Sequence, residues 1–577
     1  MYLMKTGRHW LAAALAALAG TASAGELLIE QRVTDDGTLL VRYTPPDGVR
    51  ELPLFNRAPT METVWGEMAV SVGGCGNVSL KPRVTITLAP GCTSALFRVK
   101  PRLLNRYATN EPAFVVGSGA VMAYLSYYAV ALPGHALRWR WTPGPGSHAV
   151  VAGNLSARPV DRLVSVDQVA AAIQDDGRTA ASSSALTTHE YVLLGKAEIQ
   201  TLPGGALIHD GAVHTTRLGA VRDTLARVTE RLGRAYGVMP AGPWAVVASA
   251  PAGMRGYRGD VTAGRMMSLR FDSAAPQDGE ADGRWIRQFV AHEVTHWWDT
   301  GVFRTDSERP WIHEGHADWM AGLLARESAQ LDTAGWRERV DMALNNCQMA
   351  RGDRPSAGLP AFHHGGDDAY ACGQVLWLLA QWAQPRSGTP VDAGASLFRG
   401  STAPIDAEAV ARWADGGDAG PMHRLLFDPQ LGFHSALLRD WSDAIEATEL
   451  KAGAPVPAFL RGRLAGELMK ALMAADCNGA ISFWAQPDHF RIDAPPACRV
   501  LRSNPNVRRI AGVSPFDDPI GAWLAVRAAC TAGQPVALGT DAAEPLSLAC
   551  PDKLPDLPVQ HLLRLRPQAV ERLGLGG

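Results

Sequence analysis

The 577-residue sequence lacks an excess of charge of either sign. Its 55 Lys and Arg residues nearly balance its 57 Asp and Glu residues, which gives a formal net charge of −2. Proteins that bind nucleic acid usually carry a basic patch or stripe that meets the phosphates. The charge balance therefore gives no support to a nucleic-acid partner. A hydrophobic fraction of 47% with 19% charged residues indicates a globular protein, and the length of 577 residues indicates about three domains.

The cysteines lack the Cys-x-x-Cys spacing that many zinc sites use. A second metal site is therefore an alternative without support. Spacing alone does not fix disulfide connectivity, yet we predict that neighbouring cysteines pair and that each bridge closes a local loop. The predicted pairs are Cys75 with Cys92, Cys347 with Cys372, Cys477 with Cys498, and Cys530 with Cys550.

Hydrophobic runs long enough to span a bilayer are scarce. The apolar run Trp10–Gly20 is too short to span comfortably. It follows Lys5 and Arg8 and precedes three small residues at 22–24, an order typical of a secretory signal peptide. We therefore predict a signal peptide over residues 1–24 and a periplasmic or secreted protein, with a retained anchor as the alternative.

The longest uncharged stretch, Ala113–Gly134, is the other candidate for a membrane span. It contains glycines, serines and three tyrosines, and it ends in a Pro-Gly pair. These residues favour buried strands over a span. We expect no stable membrane span in the mature chain.

A His-Glu-Val-Thr-His sequence at 292–296 is a candidate metal-binding motif. If the preceding apolar pattern continues as a helix, His292 and His296 lie on one helix face and can bind one Zn²⁺. Glu293 lies about a hundred degrees round the helix, where it is placed to act on water rather than on the metal. The motif predicts a zinc hydrolase.

A catalytic zinc needs a third protein ligand and one open position. Glu314 fits if a second helix returns antiparallel, and the 17 residues between His296 and Glu314 allow a loop and that return. Pro310 stands just before the second helical run, where proline is tolerated.

Three further residues near Glu314 are candidates for supporting roles. His313 and His316 are competing ligands, although we expect them to support the site or to lie on the helix surface. Asp318, one turn after Glu314, is placed to accept the outer N–H of a ligand histidine and fix its tautomer. The alternative for Asp318 is a solvated carboxylate on the helix face.

The HExxH motif at 292–296 and the WxxEGxA motif at 311–317 resemble the gluzincin metallopeptidases, in particular the aminopeptidase-N-like and glycyl-aminopeptidase-like families. The resemblance implies Zn²⁺ held by His292, His296 and Glu314, with Glu293 as the general base. The family usually has one residue more between the second His and the Glu, so we expect a slightly shorter connecting loop here.

The resemblance also implies a tyrosine that stabilises the oxyanion of the tetrahedral intermediate. In the family this Tyr is followed by x-x-Gly and an apolar helix, and Tyr370 with Gly373 fits that pattern. A phenol O–H aimed at the developing charge assists the metal without changing net charge. The alternative is a core tyrosine that opens a buried helix, in which case His363 or His364 would be the donor.

In one segment this sequence departs from the family pattern. Aminopeptidases of this kind carry a Gly-x-Met-Glu-Asn edge strand before the zinc helix, where the Glu grips the free amine of the substrate. The segment here begins with Gly264 and continues through Met266 and Met267. We predict that these three residues bind substrate. A thioether cannot pair with an ammonium, so Met267 argues against strict aminopeptidase action.

The predicted fold class is α+β with several domains. Residues 25–155 contain short strands, including a hairpin over 27–43, and resemble the β-sandwich of the gluzincins. The next segment is expected to hold a capping-box helix start at Ser165, then strands, then mainly helices, as in a thermolysin-like domain. The predicted divisions are a signal peptide (1–24), a β-sandwich-like domain (25–155), a gluzincin-type catalytic domain (156–454) and a small C-terminal α/β, PDZ-like domain (455–577).

Together these patterns predict an exported zinc-dependent metallopeptidase that acts on peptide or protein substrates. Three alternatives remain open at this point. The scaffold could hydrolyse another bond, such as an ester or epoxide. It could bind without turnover. The HExxH sequence could also be accidental in a β-rich exported protein.

Overall fold

The computed structural model describes residues 25–575 except 57, 59, 105–109, 118, 165–189, 255–256, 263–264, 275–277, 307, 356–367, 385–387, 400, 487, 495, 553 and 555. The predicted signal peptide, the helix start at Ser165, Gly264, and both His363 and His364 lie outside the described residues. The chain forms two compact units, which are Met1–Glu230 with Met239–Trp297, and Arg231–Val238 with Trp298–Gly577.

Short strands dominate the N-terminal part of the first unit. β1 (Glu26–Val33) and β2 (Leu39–Thr44) pair antiparallel, which confirms the predicted hairpin. Gly37 has a φ of 75°, a value that glycine adopts in a turn without steric cost. The other strands of this part are β3 (Glu51–Pro53), β4 (Ala69–Val72), β5 (Gly76–Ser79), β6 (Thr85–Leu88), β7 (Ala95–Val99), β8 (Ala113–Val116), β9 (Gly119–Tyr124), β10 (Ala136–Trp141), β11 (His148–Val151), β12 (Asn154–Ser156), β13 (Val160–Val164) and β14 (Tyr191–Lys196).

These strands form three sheets around one hydrophobic core. The sheet orders are β13-β10-β1-β2-β7-β4, β12-β11-β14-β9-β8 and β3-β6-β5. Because β13 and β14 pair with β10 and β9, the β-structure runs past residue 155, where the first domain was expected to end. Ala113–Gly134 contains β8 and β9, as predicted. Among the described residues, no helix is both long and apolar enough to cross a membrane.

A second, mixed sheet completes the first unit. Its strands β16, β17 and β19 run parallel, whereas the outer strands β15 and β18 run antiparallel to their neighbours. The sheet order is β15-β16-β17-β19-β18. The elements are β15 (Glu198–Leu202), β16 (Gly205–His209), α2 (Thr215–Tyr236, its last residues in the second unit), β17 (Trp244–Ser249), β18 (Tyr257–Thr262), β19 (Met266–Phe271) and α3 (Gly279–His296), with a short α1 (Thr60–Thr63) earlier in the chain.

The second unit is mainly helical in its first part, as predicted. α4 and α6 approach closely because Gly315 and Gly373 face each other, and a Cβ on Gly373 would lie 2.6 Å from Gly315 Cα. The elements are α4 (Trp311–Glu327), α5 (Thr333–Arg351), a π-helical turn (Asp368–Cys372), α6 (Gly373–Ala383), α7 (Pro390–Ala395), α8 (Ala407–Asp415), α9 (Pro421–Phe427) and α10 (Phe433–Asp440).

The C-terminal part contains an antiparallel sheet in the order β21-β22-β23-β24-β25 and two long helices. The last strand, β26, pairs instead with β20, and the buried Asp341 and Asn345 of α5 hydrogen-bond its backbone. The elements are β20 (Ile445–Glu449), α11 (Ala458–Asp476), β21 (Phe483–Ala485), β22 (Phe490–Ile492), β23 (Asn506–Ile510), α12 (Pro519–Thr531), β24 (Val536–Thr540), β25 (Leu546–Leu548), β26 (His561–Leu565) and α13 (Pro567–Arg572).

All four predicted disulfides are confirmed. Each joins the two neighbouring cysteines of a pair, with sequence separations of 17 to 25 residues. The bridge between Cys347 and Cys372 has a local consequence, because it ties the end of the π-helical turn to α5.

Candidate active site

Helix α3 carries the HExxH motif in its last turns. Asp278 caps the helix by accepting hydrogen bonds from Glu280 N (2.9 Å) and Ala281 N (3.0 Å). Ile286, Val290 and Val294 recur every four residues and are fully buried, so this stripe anchors the helix in the core. The motif is therefore held on a rigid element.

His292 and His296 converge at the end of α3. Their Nε2 atoms lie 3.2 Å apart, and the ring planes are nearly perpendicular, at 89°. Two histidine nitrogens bound to one tetrahedral Zn²⁺ at the usual bond length are about 3.3 Å apart. The observed distance between the donor atoms therefore fits zinc.

Glu314 is the third side chain of this group. The ligand atoms of His292, His296 and Glu314 all lie within 4.8 Å of one another. A second such group in the described part of the chain consists of Asp476, Cys477 and Cys498, but the two cysteines form a disulfide. The second group is therefore not available to a metal, in agreement with the cysteine spacing.

Helix α4 begins directly after Pro310, as predicted, and Glu314 lies in its first turn. His313 Nε2 is 3.7 Å from Glu314 Oε1, so His313 is a neighbour of the carboxylate. One turn further, the Asp318 carboxylate contacts Arg339 at 3.4 Å. The role predicted for Asp318, to orient a ligand histidine, stays a prediction.

His316 is buried in the interior of the second unit. It is fully buried, with Nδ1 3.2 Å from Asp299 Oδ2 and Nε2 3.5 Å from the Tyr236 hydroxyl. The Asp299 carboxylate is also fully buried. Both ring nitrogens of His316 are thus engaged by other side chains, which argues against a role as metal ligand.

Tyr370 lies in the π-helical turn between α5 and α6. The disulfide at Cys372 holds one end of this turn to α5, and Gly373 packs against α4. Trp377 Nε1 also donates a hydrogen bond to the carbonyl of Ile312 (3.0 Å), which fixes α6 to α4. Tyr370 is 41% exposed, so the alternative of a core tyrosine is wrong.

The expected edge strand requires a correction. Met266 and Met267 belong to β19, which is hydrogen-bonded on both sides by β17 and β18, and both side chains are fully buried. They are therefore not placed to bind substrate. The outer strand of this sheet is β18.

Strand β18 approaches the motif through Gly259, which the sequence analysis missed. A Cβ on Gly259 would lie 2.6 Å from Glu293 Cδ and 2.6 Å from Phe289 Cζ, so only glycine leaves both side chains in place. A glycine inside a strand is a known signal of close approach. On the opposite face of β18, Arg258 pairs with Glu111 (3.4 Å) and Asp260 pairs with Arg270.

No family model and no curated protein sequence matches the chain. Among solved structures, the crystal structure of an aminopeptidase N family protein from Idiomarina loihiensis matches with a TM-score of 0.57 and 12% identity, over 95% of this chain and 99% of that chain. At this identity the likeness is one of fold, and at that level it confirms the predicted similarity to aminopeptidase-N-like proteins. The M1 zinc metallopeptidase from Deinococcus radiodurans matches with 14% identity, over 70% of this chain and 94% of that chain. Its TM-score of 0.40 is too low to indicate a shared fold.

Proposed function

We propose that the protein is an exported, gluzincin-type zinc metallopeptidase that hydrolyses peptide bonds. The observation that carries this proposal is the grouping of His292, His296 and Glu314, whose ligand atoms lie within 4.8 Å of one another. Two imidazoles and one carboxylate are a donor set that catalytic zinc uses, with a position left open for water or substrate.

The proposed mechanism assigns one task to each remaining residue. When bound, zinc lowers the pKa of water and polarises the scissile carbonyl. The Glu293 carboxylate accepts a proton from the attacking water and delivers it to the nitrogen of the leaving amine. The Tyr370 hydroxyl donates a hydrogen bond to the carbonyl oxygen as negative charge develops there.

The burial of the two groups suits these roles. Glu293 is 8% exposed, so neighbouring groups surround its side chain, and a carboxylate held in place directs proton transfer. Tyr370 is more exposed, and a peptide can therefore reach its side chain.

Asp318 is proposed to support a ligand histidine, as expected from its place one turn after Glu314.

We further propose that cleavage does not require a free amino terminus. The face of β18 towards α3 carries Tyr257, Gly259 and Val261, because alternate residues of a strand share a face. None of these side chains is acidic, and Asp260 points to the other face, where it pairs with Arg270. Strand β18 itself therefore offers no carboxylate on this face to a substrate ammonium, and the carboxylate that borders Gly259 there is that of the proposed base, Glu293.

Export is proposed from the predicted signal peptide together with the disulfides. Disulfides are typical of proteins from oxidising compartments such as the periplasm or the medium, and the four bridges support that location. The division into a β-sandwich-like domain, a catalytic domain and a PDZ-like C-terminal domain is likewise part of the proposal.

A peptide digest tests the proposal. Matched peptides with free and with acetylated amino termini are incubated with the zinc-loaded wild type and with the Glu293→Gln variant. We expect the wild type to cleave both peptide sets and the variant to cleave neither. Cleavage confined to free termini would overturn the substrate part, and equal cleavage by the variant would overturn the mechanism.

A further inference from the structure

Three aromatic rings form a continuous stack on α3 and β18, here called the aromatic stack. The Trp285 ring lies 4.1 Å from the Tyr257 ring and 5.0 Å from the Phe289 ring, measured between centroids, with interplanar angles of 29° and 21°. Trp285 nevertheless remains 44% exposed. Because Trp285 stacks on two further rings, its exposed face is part of a contiguous aromatic surface, and contiguous apolar surface marks a binding site more often than a single exposed ring does.

The aromatic stack leads directly to the proposed base. Phe289 and Trp285 precede Glu293 by four and eight residues, so the three side chains lie on neighbouring parts of one helix face. A Cβ on Gly259 would be 2.6 Å from both Phe289 Cζ and Glu293 Cδ. The end of the stack and the carboxylate therefore border the same point of β18.

Tyr257 is fixed in place before any ligand binds. Its hydroxyl donates a hydrogen bond to Asp282, and Arg217 pairs with the same carboxylate at 3.0 Å. The Arg217 and Asp282 side chains are only 5% and 8% exposed, so their charges are paired inside the protein. Burial and the hydrogen bond to Asp282 raise the pKa of Tyr257, which stays neutral. The stack thus offers a rigid, uncharged surface.

We propose that the aromatic stack binds an aromatic or large aliphatic side chain of an extended peptide substrate, close to the bond that is cleaved. This inference rests on the proposed peptidase function and names a specificity determinant for it. Residues two apart in an extended peptide rise about 6.6–6.8 Å and point to the same side. A peptide lying along β18 with its reacting carbonyl beside Gly259 would therefore place a side chain opposite Tyr257 and against Trp285.

Rate measurements on peptide pairs test this inference. The pairs differ only in Phe or Ala at one of the two positions on either side of the cleaved bond, and kcat/KM is measured for each. We expect the wild type to prefer Phe at one of these positions. We expect Trp285→Ala to reduce that preference by about tenfold or more, the scale of discrimination that one apolar contact surface gives.

Two variants serve as controls. Trp285→Phe keeps an aromatic ring and is expected to retain most of the preference. Trp484→Ala removes a Trp that is 54% exposed on β21, and it is expected to leave the preference unchanged. A similar loss in Trp484→Ala would contradict a specific role for Trp285.

A binding measurement separates this inference from the proposed function. Labelled Phe and Ala peptides are titrated with zinc-loaded Glu293→Gln protein, with and without Trp285→Ala, and Kd is read from fluorescence anisotropy. We expect Trp285→Ala to weaken binding of the Phe peptide about tenfold and to leave binding of the Ala peptide unchanged. Cleavage of no peptide by the wild type would overturn the peptidase proposal. If Trp285→Ala cleaves and binds peptides with the same preference for Phe as the wild type, the proposed role of the stack is wrong. The peptidase proposal would not be affected by that result.

Discussion

Helices α3 and α4 both carry buried histidines, but the two helices use them differently. On α3, the Nε2 atoms of His292 and His296 face each other at 3.2 Å. On α4, both nitrogens of His316 lie within reach of Asp299 and Tyr236. Burial is similar in the two cases, so burial alone does not identify a metal ligand. The convergence of donor atoms is the reason that we propose His292 and His296, and not His316, as ligands.

The same comparison separates the side chain to which we assign chemistry, Glu293, from one that packs inside the fold, His316. Glu293 shares the α3 face with the aromatic stack and borders β18, whereas His316 packs among Trp377 and Phe398 inside the second unit. A change at Glu293 should therefore cost activity with little loss of stability. A change at His316 should cost stability with little effect on metal binding.

The largest expected effect is the loss of the proposed base on α3. Glu293→Gln removes the proton acceptor but keeps the shape of the side chain, so we expect kcat to fall by about a thousandfold or more. Zinc content and thermal midpoint should stay at wild-type values, since Glu293 is not a proposed ligand. Turnover within tenfold of the wild type would rule out Glu293 as the base.

Removal of the proposed oxyanion donor should have the next largest effect. Tyr370→Phe deletes only the hydroxyl, and we expect kcat to fall by about a hundredfold while KM changes little, because the hydrogen bond forms mainly in the transition state. Steady-state kinetics on one good peptide substrate measure both constants. Unchanged kcat would mean that another group stabilises the oxyanion.

A methyl group at Gly259 should displace the Glu293 carboxylate without unfolding the chain. The added Cβ would lie 2.6 Å from both Glu293 Cδ and Phe289 Cζ, so the ends of both side chains must shift, and the flexible Glu293 side chain can move further than the stacked Phe289 ring. We expect Gly259→Ala to lower kcat by about tenfold to a hundredfold, the scale of a misplaced catalytic group. Gly219→Ala is the matched control, because its added Cβ would meet no side chain and no other element within 4 Å. Full activity in Gly259→Ala would show that the carboxylate position is not critical.

A substitution at His316 on α4 should have the smallest effect on activity. It should instead lower the stability of the fold. His316→Leu removes a hydrogen bond from the buried Asp299 carboxylate, and we expect the free energy of unfolding to fall by about 2–3 kcal/mol. Urea unfolding followed by circular dichroism measures the loss. Zinc content should stay at the wild-type value. A variant that loses its zinc while remaining folded would place His316 in the metal site after all.

Local geometry explains why much of the site could be predicted from the sequence. The four-residue spacing of His292 and His296 fixes their common face in any helix, and Pro310 marks the start of the helix that carries Glu314. The four disulfides close short loops, so neighbouring cysteines were the natural partners.

Features that depend on distant residues could not be predicted. Met267 seemed to lie on an edge strand, but strand order is set by long-range pairing, and β18 lies outside β19 although it precedes it in the chain. The burial of His316 depends on Asp299 and Tyr236, which are 17 and 80 residues away. The pairing of β26 with β20 brings the last strand back across more than a hundred residues, which no local pattern shows.

Metal content shows whether His292, His296 and Glu314 hold a zinc ion. Wild-type protein, His296→Ala and His316→Leu are purified in parallel, loaded with zinc, dialysed against zinc-free buffer, and analysed for zinc by mass spectrometry. We expect one zinc per wild-type chain, one per His316→Leu chain, and almost none in His296→Ala. Equal zinc in the wild type and His296→Ala, or no stoichiometric zinc in the wild type after loading, would contradict the proposed zinc site.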